Sequence, residues 1–217
     1  MKPKVLVYAD SRAKSFDGSV SYVDMLSDDF DVDNKVKPVR RTMWLDFLDF
    51  WFSEERNYRA AVVHLGIVDW SPKPISEIQS EYQVKKVVCD RVFGAEAMSI
   101  QLRKWFPYRF RGEHTNNLYS LEMMKDSLLP LLIKVPRLLF VGVNSIPQKF
   151  IDNGERPENI NLVLQYSIAM ESALWSVRTW EGEEVDVFTF DGIHPNKEGH
   201  RWLAENITRE ILHGSFL

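Results

Sequence analysis

The stretch Lys4-Val-Leu-Val-Tyr-Ala9, near the start of the chain, decides the fold class. Its nearly continuous apolar run is typical of a parallel strand that is covered on both faces. Strand-like runs recur at residues 36–39, where the pattern is weak, and at residues 60–66, 137–143 and 185–190. Helical patterns lie between these runs. The alternation predicts an α/β protein with three layers, α/β/α, around a parallel sheet of about five strands.

The segment at residues 70–135 is longer than one crossover helix between two strands needs. Apolar periodicity predicts helices over residues 75–105 and 117–129, with a loop at residues 107–112. We interpret residues 1–217 as a single domain in which this helical insertion is a candidate lid or specificity region.

Composition argues against several classes of protein. The net charge of −4 gives no basic field, so nucleic-acid binding is not expected. Cys89 is the single cysteine, which excludes an intrachain disulfide and a cysteine-based zinc site. No run reaches about 18 apolar residues, so no membrane span is expected. The N-terminal apolar stretch stops at Asp10, which favours a strand over a signal peptide. A reducing, cytoplasmic location is the expectation.

Ser11 follows the first strand directly, in Ala9-Asp10-Ser11-Arg12. A serine in this place can hold its hydroxyl above the sheet, with the backbone amides of Ser11 and Arg12 open to a developing oxyanion. The same position also suits a helix N-cap or a plain loop serine.

A second group of polar residues stands in Asp191-Gly-Ile-His-Pro-Asn-Lys-Glu-Gly-His200. If the first and last strands share one parallel sheet, this stretch and Ser11 emerge at the same edge. A hydroxyl, an imidazole and a carboxylate then converge, as nucleophilic catalysis requires. In the alternative interpretation, Asp191 caps the turn and His194 packs on it. A zinc site formed with His200 is not expected, because no second pair of ligands accompanies these residues.

The two blocks together resemble the SGNH, or GDSL-like, hydrolases, which carry a nucleophilic serine after the first strand and a closing Asp-x-x-His motif. The resemblance runs from the first strand to the last helix and implies a flavodoxin-like fold. It implies Ser11 as nucleophile, His194 as general base and acid, and Asp191 as the carboxylate that orients His194. The implied chemistry is acyl transfer through a serine ester.

Two other blocks depart from the family pattern. The third block is usually Gly-x-Asn-Asp, whereas this chain has Gly66-Ile-Val68-Asp69, and valine cannot donate to an oxyanion. The second block usually supplies a glycine amide, but residues 39–42 contain no glycine. Oxyanion stabilisation therefore needs other donors.

The candidate donors are the backbone amides of Ser11, of Arg12 and of Arg40 or Arg41, and the side chain of Asn144, which follows the strand at residues 137–143. Gly66 and Asp69 remain candidates at the third block. Asp69 either binds substrate hydroxyls or braces the loop. His114 is interpreted as a surface histidine or, beside Arg109 and Arg111, as part of an anion-binding site.

The sequence therefore predicts a serine-dependent esterase that acts on a small-molecule or carbohydrate ester and needs no cofactor and no metal. An acyltransferase with the same three residues is one alternative. A binding or assembly protein that keeps an SGNH scaffold but turns over weakly is another, because Val68 weakens the case for catalysis. A nucleotide-binding protein is disfavoured, since no glycine follows the first strand. The sequence does not indicate an oligomeric state.

Overall fold

The computed structural model describes residues 1–36, 43–53 and 57–214. The strands of this part of the chain are β1 (Lys4–Ala9), β2 (Asp31–Asn34), β3 (Ala60–His64), β4 (Lys73–Pro74), β5 (Phe106–Phe110), β6 (Glu113–Asn116), β7 (Leu138–Val141) and β8 (Trp175–Val177). Within the described residues, five strands form a parallel sheet in the order β2-β1-β3-β7-β8. The strands β4, β6 and β5 form a small antiparallel sheet.

The α-helices are α1 (Tyr22–Leu26), α2 (Trp44–Phe52), α3 (Ile67–Trp70), α4 (Ile75–Phe93), α5 (Ala95–Gln101), α6 (Leu121–Met123), α7 (Leu129–Leu132), α8 (Gln148–Asp152), α9 (Val163–Glu171), α10 (Glu184–Phe188) and α11 (Lys197–His213). Short 3₁₀ helices span Ser11–Ala13 and Ile160–Leu162, and a π-helical segment, Met124–Leu128, joins α6 to α7. In the described residues, no helix is both long and apolar enough to cross a bilayer.

Alternation along β1 divides the core into two halves, one on each face of the sheet. Val5 and Val7 belong to the half that contains α1 and α11, whereas Leu6 and Tyr8 belong to the half that contains α2, α4 and α9. All four side chains are buried, because successive residues of a strand point to opposite faces. A sheet covered on both faces confirms the predicted three-layer α/β/α class.

The weak strand expected at residues 36–39 falls mostly on residues 37–39, which lie outside the described residues. In the described part of the chain the second strand is β2, at Asp31–Asn34, and Val36 follows it. β2 is an edge strand that pairs with β1 alone, and its side chains are exposed or only partly buried. An edge strand has no need of a continuous apolar run, so the pattern did not reveal it.

The strand expected at residues 185–190 is wrong, because most of this run is the helix α10. Val185 is fully buried and Phe188 stacks on Trp180, whereas Val187 is 58% exposed. Only one side of the run is therefore buried, at helical spacing, and acidic residues in its first turn favour a helix. The fifth strand of the sheet is instead the short β8.

The insertion at residues 70–135 is less helical than expected. Gly94, at φ +84°, ends α4, so the helix expected over residues 75–105 is two helices, α4 and α5. The helix expected over 117–129 begins later, at Leu121, with Ser120 as its N-cap, and continues to Leu132. Residues 107–112 are not a loop: they belong to a hairpin of β5 and β6 with Arg111 and Gly112 at its tip.

Candidate active site

Ser11 is positioned by a buried ion pair directly after β1. The Asp10 carboxylate caps the 3₁₀ turn by accepting a hydrogen bond from the Arg12 backbone amide at 3.0 Å, and it pairs with the Arg12 guanidinium at 2.9 Å. Both side chains are almost completely buried. The N-cap of this turn is therefore Asp10, and Ser11 is its first residue.

The Asp191–His194 loop is held by its own backbone. Thr189 and Pro195 form an antiparallel bridge, and the Phe190 amide donates to the His194 carbonyl at 3.2 Å. The Asp191 Oδ1 atom accepts hydrogen bonds from two amides in the loop, that of Ile193 at 3.0 Å and that of His194 at 2.7 Å. Asp191 therefore caps the turn, as one interpretation expected, while its second oxygen remains for the imidazole.

Ser11, His194 and Asp191 are joined in one chain of hydrogen bonds. The Ser11 Oγ atom lies 3.0 Å from His194 Nε2, and His194 Nδ1 lies 2.7 Å from Asp191 Oδ2. Burial acts to raise the pKa of Asp191, but the hydrogen bonds from the side chain and backbone of His194 outweigh it, so this pKa is lowered. The carboxylate therefore accepts the Nδ1 proton, which leaves the Nε2 lone pair facing the serine hydroxyl.

Two aromatic rings that the sequence analysis did not single out hold the imidazole in place. The Phe16 ring meets the His194 ring edge to face, with ring centres 4.7 Å apart, and Phe190 stacks on it at 5.8 Å. Both phenylalanines are about half exposed, at 53% and 51%. Phe16 stands outside any helical or strand pattern, and Phe190 ends the run that was interpreted as a strand, so only their contact with His194 reveals this role.

A cleft of about 300 Å³ opens beside this chain of hydrogen bonds. Ser11 and His194 line it together with apolar side chains that include Val68, Phe110 and Ile193. Val68, in the position where the family pattern has asparagine, thus lines the same cleft as Ser11 and His194. The β5–β6 hairpin reaches the same cleft through Phe110 and Arg111.

The candidate oxyanion donors differ in whether they are available to bind an oxyanion. The Arg12 amide already donates to Asp10, and the Arg12 side chain is 1% exposed, so the expectation that Arg12 serves an oxyanion is corrected. Arg40 and Arg41 lie outside the described residues. The Ser11 amide has no acceptor within residues 1–36, 43–53 and 57–214, so it remains available as a donor.

Asn144 is occupied elsewhere, which corrects its expected role as a donor. Its Nδ2 group donates to the carbonyl of Ser145 at 3.0 Å and to that of Gly192 at 2.8 Å. An amide nitrogen carries two hydrogens, so none is left for an oxyanion. Asn144 instead braces the loop that carries Asp191 and His194.

The third block is structural rather than substrate-binding. Asp69 is 1% exposed, and its Oδ1 atom accepts from the Trp44 amide at 2.9 Å and from the Tyr119 hydroxyl at 3.1 Å. Burial raises the pKa of Asp69 to about 7. Gly66 has φ +121°, and a Cβ atom there would lie 2.4 Å from the Trp70 ring, so glycine is required for packing. Neither residue lines the cleft.

Three other histidines, His64, His114 and His200, have structural partners. His200 is fully buried and accepts from the Tyr22 amide at 3.2 Å, while its Nε2 donates to the Lys14 carbonyl at 3.1 Å, so it ties α11 to the loop after Ser11. His64, which sequence reasoning missed, contacts the Tyr22 hydroxyl at 3.2 Å. Burial lowers the pKa of both imidazoles. His114 pairs with the Phe106 carbonyl and lies against Trp105, outside the cleft.

Solved structures of other proteins share this architecture over almost the whole chain. A lipase/acylhydrolase from Enterococcus faecalis is 16% identical, with 97% of this chain and 95% of that chain covered and a TM-score of 0.57. The psychrotrophic esterase EstA from Pseudoalteromonas sp., in a structure inhibited by monoethylphosphonate, is 12% identical, with 97% of both chains covered and a TM-score of 0.51. A protein from Parabacteroides merdae described as a GDSL-like lipase is 9% identical, with 99% of this chain and 97% of that chain covered and a TM-score of 0.52.

No protein-family model matches the chain, and no curated protein matches its sequence significantly. The structural matches show that the chain has the fold of the GDSL-like, or SGNH, hydrolases.

Proposed function

We propose that this protein is a serine-dependent esterase, with Ser11 as nucleophile, His194 as general base and acid, and Asp191 as the carboxylate that orients His194. The observation that carries the proposal is the hydrogen-bonded chain from Ser11 Oγ to His194 Nε2 at 3.0 Å and from His194 Nδ1 to Asp191 Oδ2 at 2.7 Å. These distances are within the range that proton transfer and orientation require.

Catalysis proceeds in two steps. In the first, Ser11 Oγ attacks the ester carbonyl carbon while its proton moves to His194 Nε2, and collapse of the tetrahedral intermediate expels the alcohol, which takes that proton. In the second, water attacks the acyl-serine and gives a proton to Nε2. The acid is then released, and the proton returns to Ser11 Oγ. The imidazolium formed in each step is stabilised by the Asp191 carboxylate.

Stabilisation of the oxyanion is the weak part of this site. The Ser11 amide is a donor for it, whereas the side chain of Val68 has no donor in the place where an asparagine is usual, and the Arg12 amide is engaged by Asp10. Loss of one oxyanion donor costs about 10²–10³ in turnover. We therefore expect a slow esterase, and the substrate is a small ester because the cleft holds only about 300 Å³.

The test is covalent labelling of the serine. We expect a fluorophosphonate to add once to the wild-type protein, at Ser11, as measured by intact mass and peptide mapping. Ser11→Ala should abolish the adduct and His194→Ala should slow its formation strongly. Ser71→Ala is the matched control, because Ser71 lines the same cleft but has no histidine partner among the described residues. An unlabelled wild-type protein, beside a labelled control esterase, would refute the proposal.

Acyl transfer to an acceptor hydroxyl is a second candidate function, since it differs only in what attacks the acyl-serine. It is favoured by the position of the segment at residues 70–135, which we propose acts as a lid: Lys73, Pro74, Phe110 and Arg111 from it line the cleft beside Ser11. Adding a carbohydrate alcohol to the ester assay distinguishes the two. Ester product accumulates with a transferase, and only free acid accumulates with a hydrolase.

A non-catalytic binding protein is the remaining candidate, and Val68 is the observation that favours it. Failure of Ser11 to react, together with binding of an ester that is not consumed, would support it.

A further inference from the structure

The cleft beside Ser11 carries charged side chains in addition to its apolar wall, namely Lys73, Glu77, Arg111, Glu155 and Arg156. Lys73 is already neutralised, because its ammonium donates to both carboxylate oxygens of buried Glu81, at 2.8 and 2.9 Å. The two arginines, Arg111 and Arg156, are in a different situation: within the described residues, neither forms an ion pair with a carboxylate. Their guanidinium groups are therefore available to a ligand in the cleft.

Arg111 stands at the tip of the β5–β6 hairpin in a conformation that does not suit its residue type. Its φ is +53°, in the left-handed region that asparagine or glycine occupies more readily. Such a conformation is strained for a residue with a long side chain. Its guanidinium lies over the Phe110 ring at 4.9 Å, and both residues line the cleft. The turn thus holds an exposed cation at the cleft, at a cost in backbone strain.

Arg156 comes from a separate segment, the loop that precedes Pro157. It is partly buried, and its Nη1 atom donates to the Glu155 carbonyl at 3.0 Å, which uses one of its five donors. The remaining donors belong to a guanidinium that lines the cleft together with Arg111. Planar guanidinium groups bind carboxylates and phosphates through paired hydrogen bonds, which an ammonium group does not match.

We propose that the ester carries an anionic group, a carboxylate or a phosphate, which binds Arg111 and Arg156 while its acyl group lies at Ser11. This inference rests on the proposed function and names the substrate class of the same cleft. A volume of about 300 Å³ suits a small substrate in which the ester and the anion are close together.

The test compares two acetyl esters that differ in one charge, 4-acetoxybenzoate and its neutral methyl ester. The measured quantity is the ratio of their kcat/KM values. We expect wild-type protein to favour the anionic ester, and Arg111→Gly and Arg156→Ala each to lower the ratio about 3- to 10-fold, mainly through KM. Added salt should lower the wild-type ratio in the same direction.

The choice of glycine at residue 111 and two further variants separate the effect of charge from that of structure. Glycine suits the positive φ of residue 111, so Arg111→Gly removes the cation without straining the turn. Arg109→Ala removes a charge from the same hairpin but not from the cleft, and the ratio should not change. Glu155→Gln removes a negative charge from the cleft and should raise the ratio.

Unchanged ratios in both Arg111→Gly and Arg156→Ala would overturn the anion site. If the proposed esterase function is wrong, this result is distinguishable from failure of the anion site, because fluorophosphonate then does not label Ser11. The anion site is then still decided by direct binding: Ser11→Ala protein should bind 4-acetoxybenzoate more tightly than the methyl ester, and the preference should disappear in Ser11→Ala/Arg156→Ala.

Discussion

Replacement of Val68 by asparagine should raise the kcat for ester hydrolysis. Val68 follows Ile67 at the start of α3 and lines the cleft with Ser11 and His194. An asparagine in its place would present two N–H donors towards the cleft, whereas valine presents only methyl groups. The Ser11 amide would then have a partner donor for the oxyanion of the tetrahedral intermediate.

The size of the expected gain in kcat follows from the hydrogen bonds that the other candidate oxyanion donors already make. The Arg12 amide is held by Asp10 at 3.0 Å, and both Asn144 amide hydrogens are held by carbonyls. One added donor is worth about 10²–10³ in turnover when it reaches about 3 Å from the oxyanion. Because the added side chain is not preorganised by neighbours, we expect about 10-fold to 10²-fold in kcat. Val68 is only partly buried, so the free energy of unfolding should fall by about 1 kcal/mol.

The assay is hydrolysis of 4-nitrophenyl acetate by wild-type protein and by Val68→Asn, with Val68→Ala as the control for loss of the methyl groups. The gain should appear in kcat and should vanish when Ser11→Ala is added. An asparagine variant that folds and reacts with fluorophosphonate at Ser11, yet turns over no faster than Val68→Ala, would refute the reasoning. In that case the oxyanion does not form beside residue 68.

Three other perturbations test the site and its support. Asp191→Asn keeps the Oδ1 acceptor of the loop but allows the wrong imidazole tautomer, so kcat should fall about 10³- to 10⁴-fold with little change in Tm; an equal rate would contradict the role of Asp191. Gly192→Ala should lower Tm and slow Ser11 labelling, because Gly192 has φ +77° and an added Cβ would lie 2.5 Å from the Phe150 ring; unaffected labelling would contradict this. Asp69 holds its proton up to a pKa of about 7 in the folded protein but ionises near its ordinary value when unfolded, so its contribution to folding stability falls as pH rises across that range. The lowered pKa values of buried His64 and His200 act in the opposite sense in every variant that keeps them, so urea unfolding at about pH 5 and pH 8 should show wild-type protein losing on the order of 2 kcal/mol relative to Asp69→Asn, and parallel behaviour of the two proteins would refute the assignment.

The central strands were predictable because both of their faces are buried. β1, β3 and β7 lie in the middle of the sheet, so each needed an apolar residue at almost every position and left a clear pattern. The edge strands β2 and β8 pair on one side only, are short, and carry polar or partly exposed residues. Their patterns resembled loops, and the apolar run in α10 was mistaken for the missing strand.

The Asp191–His194 pair was predictable from local spacing, since residues three apart in a turn are close whatever the rest of the chain does. Its approach to Ser11 was predicted because both segments were expected at the same edge of the parallel sheet. That prediction used the run at residues 185–190 as the last strand, and most of this run is the helix α10. The inference survives because β8 and α10 still deliver the loop to that edge. The oxyanion donors were not predictable, since whether Asn144 or the Arg12 amide is free depends on partners elsewhere in the chain.

The sequence by itself determined the α/β/α layering, the three central strands and the two polar blocks, because burial on both faces and short spacing act locally. Only the tertiary structure decided which polar atoms already have hydrogen-bond partners, which aromatic rings contact His194 and which cationic side chains line the cleft. Those properties depend on contacts between segments far apart in the chain, as between Ser11 and His194 or Phe16 and Phe190, and no local pattern records such contacts.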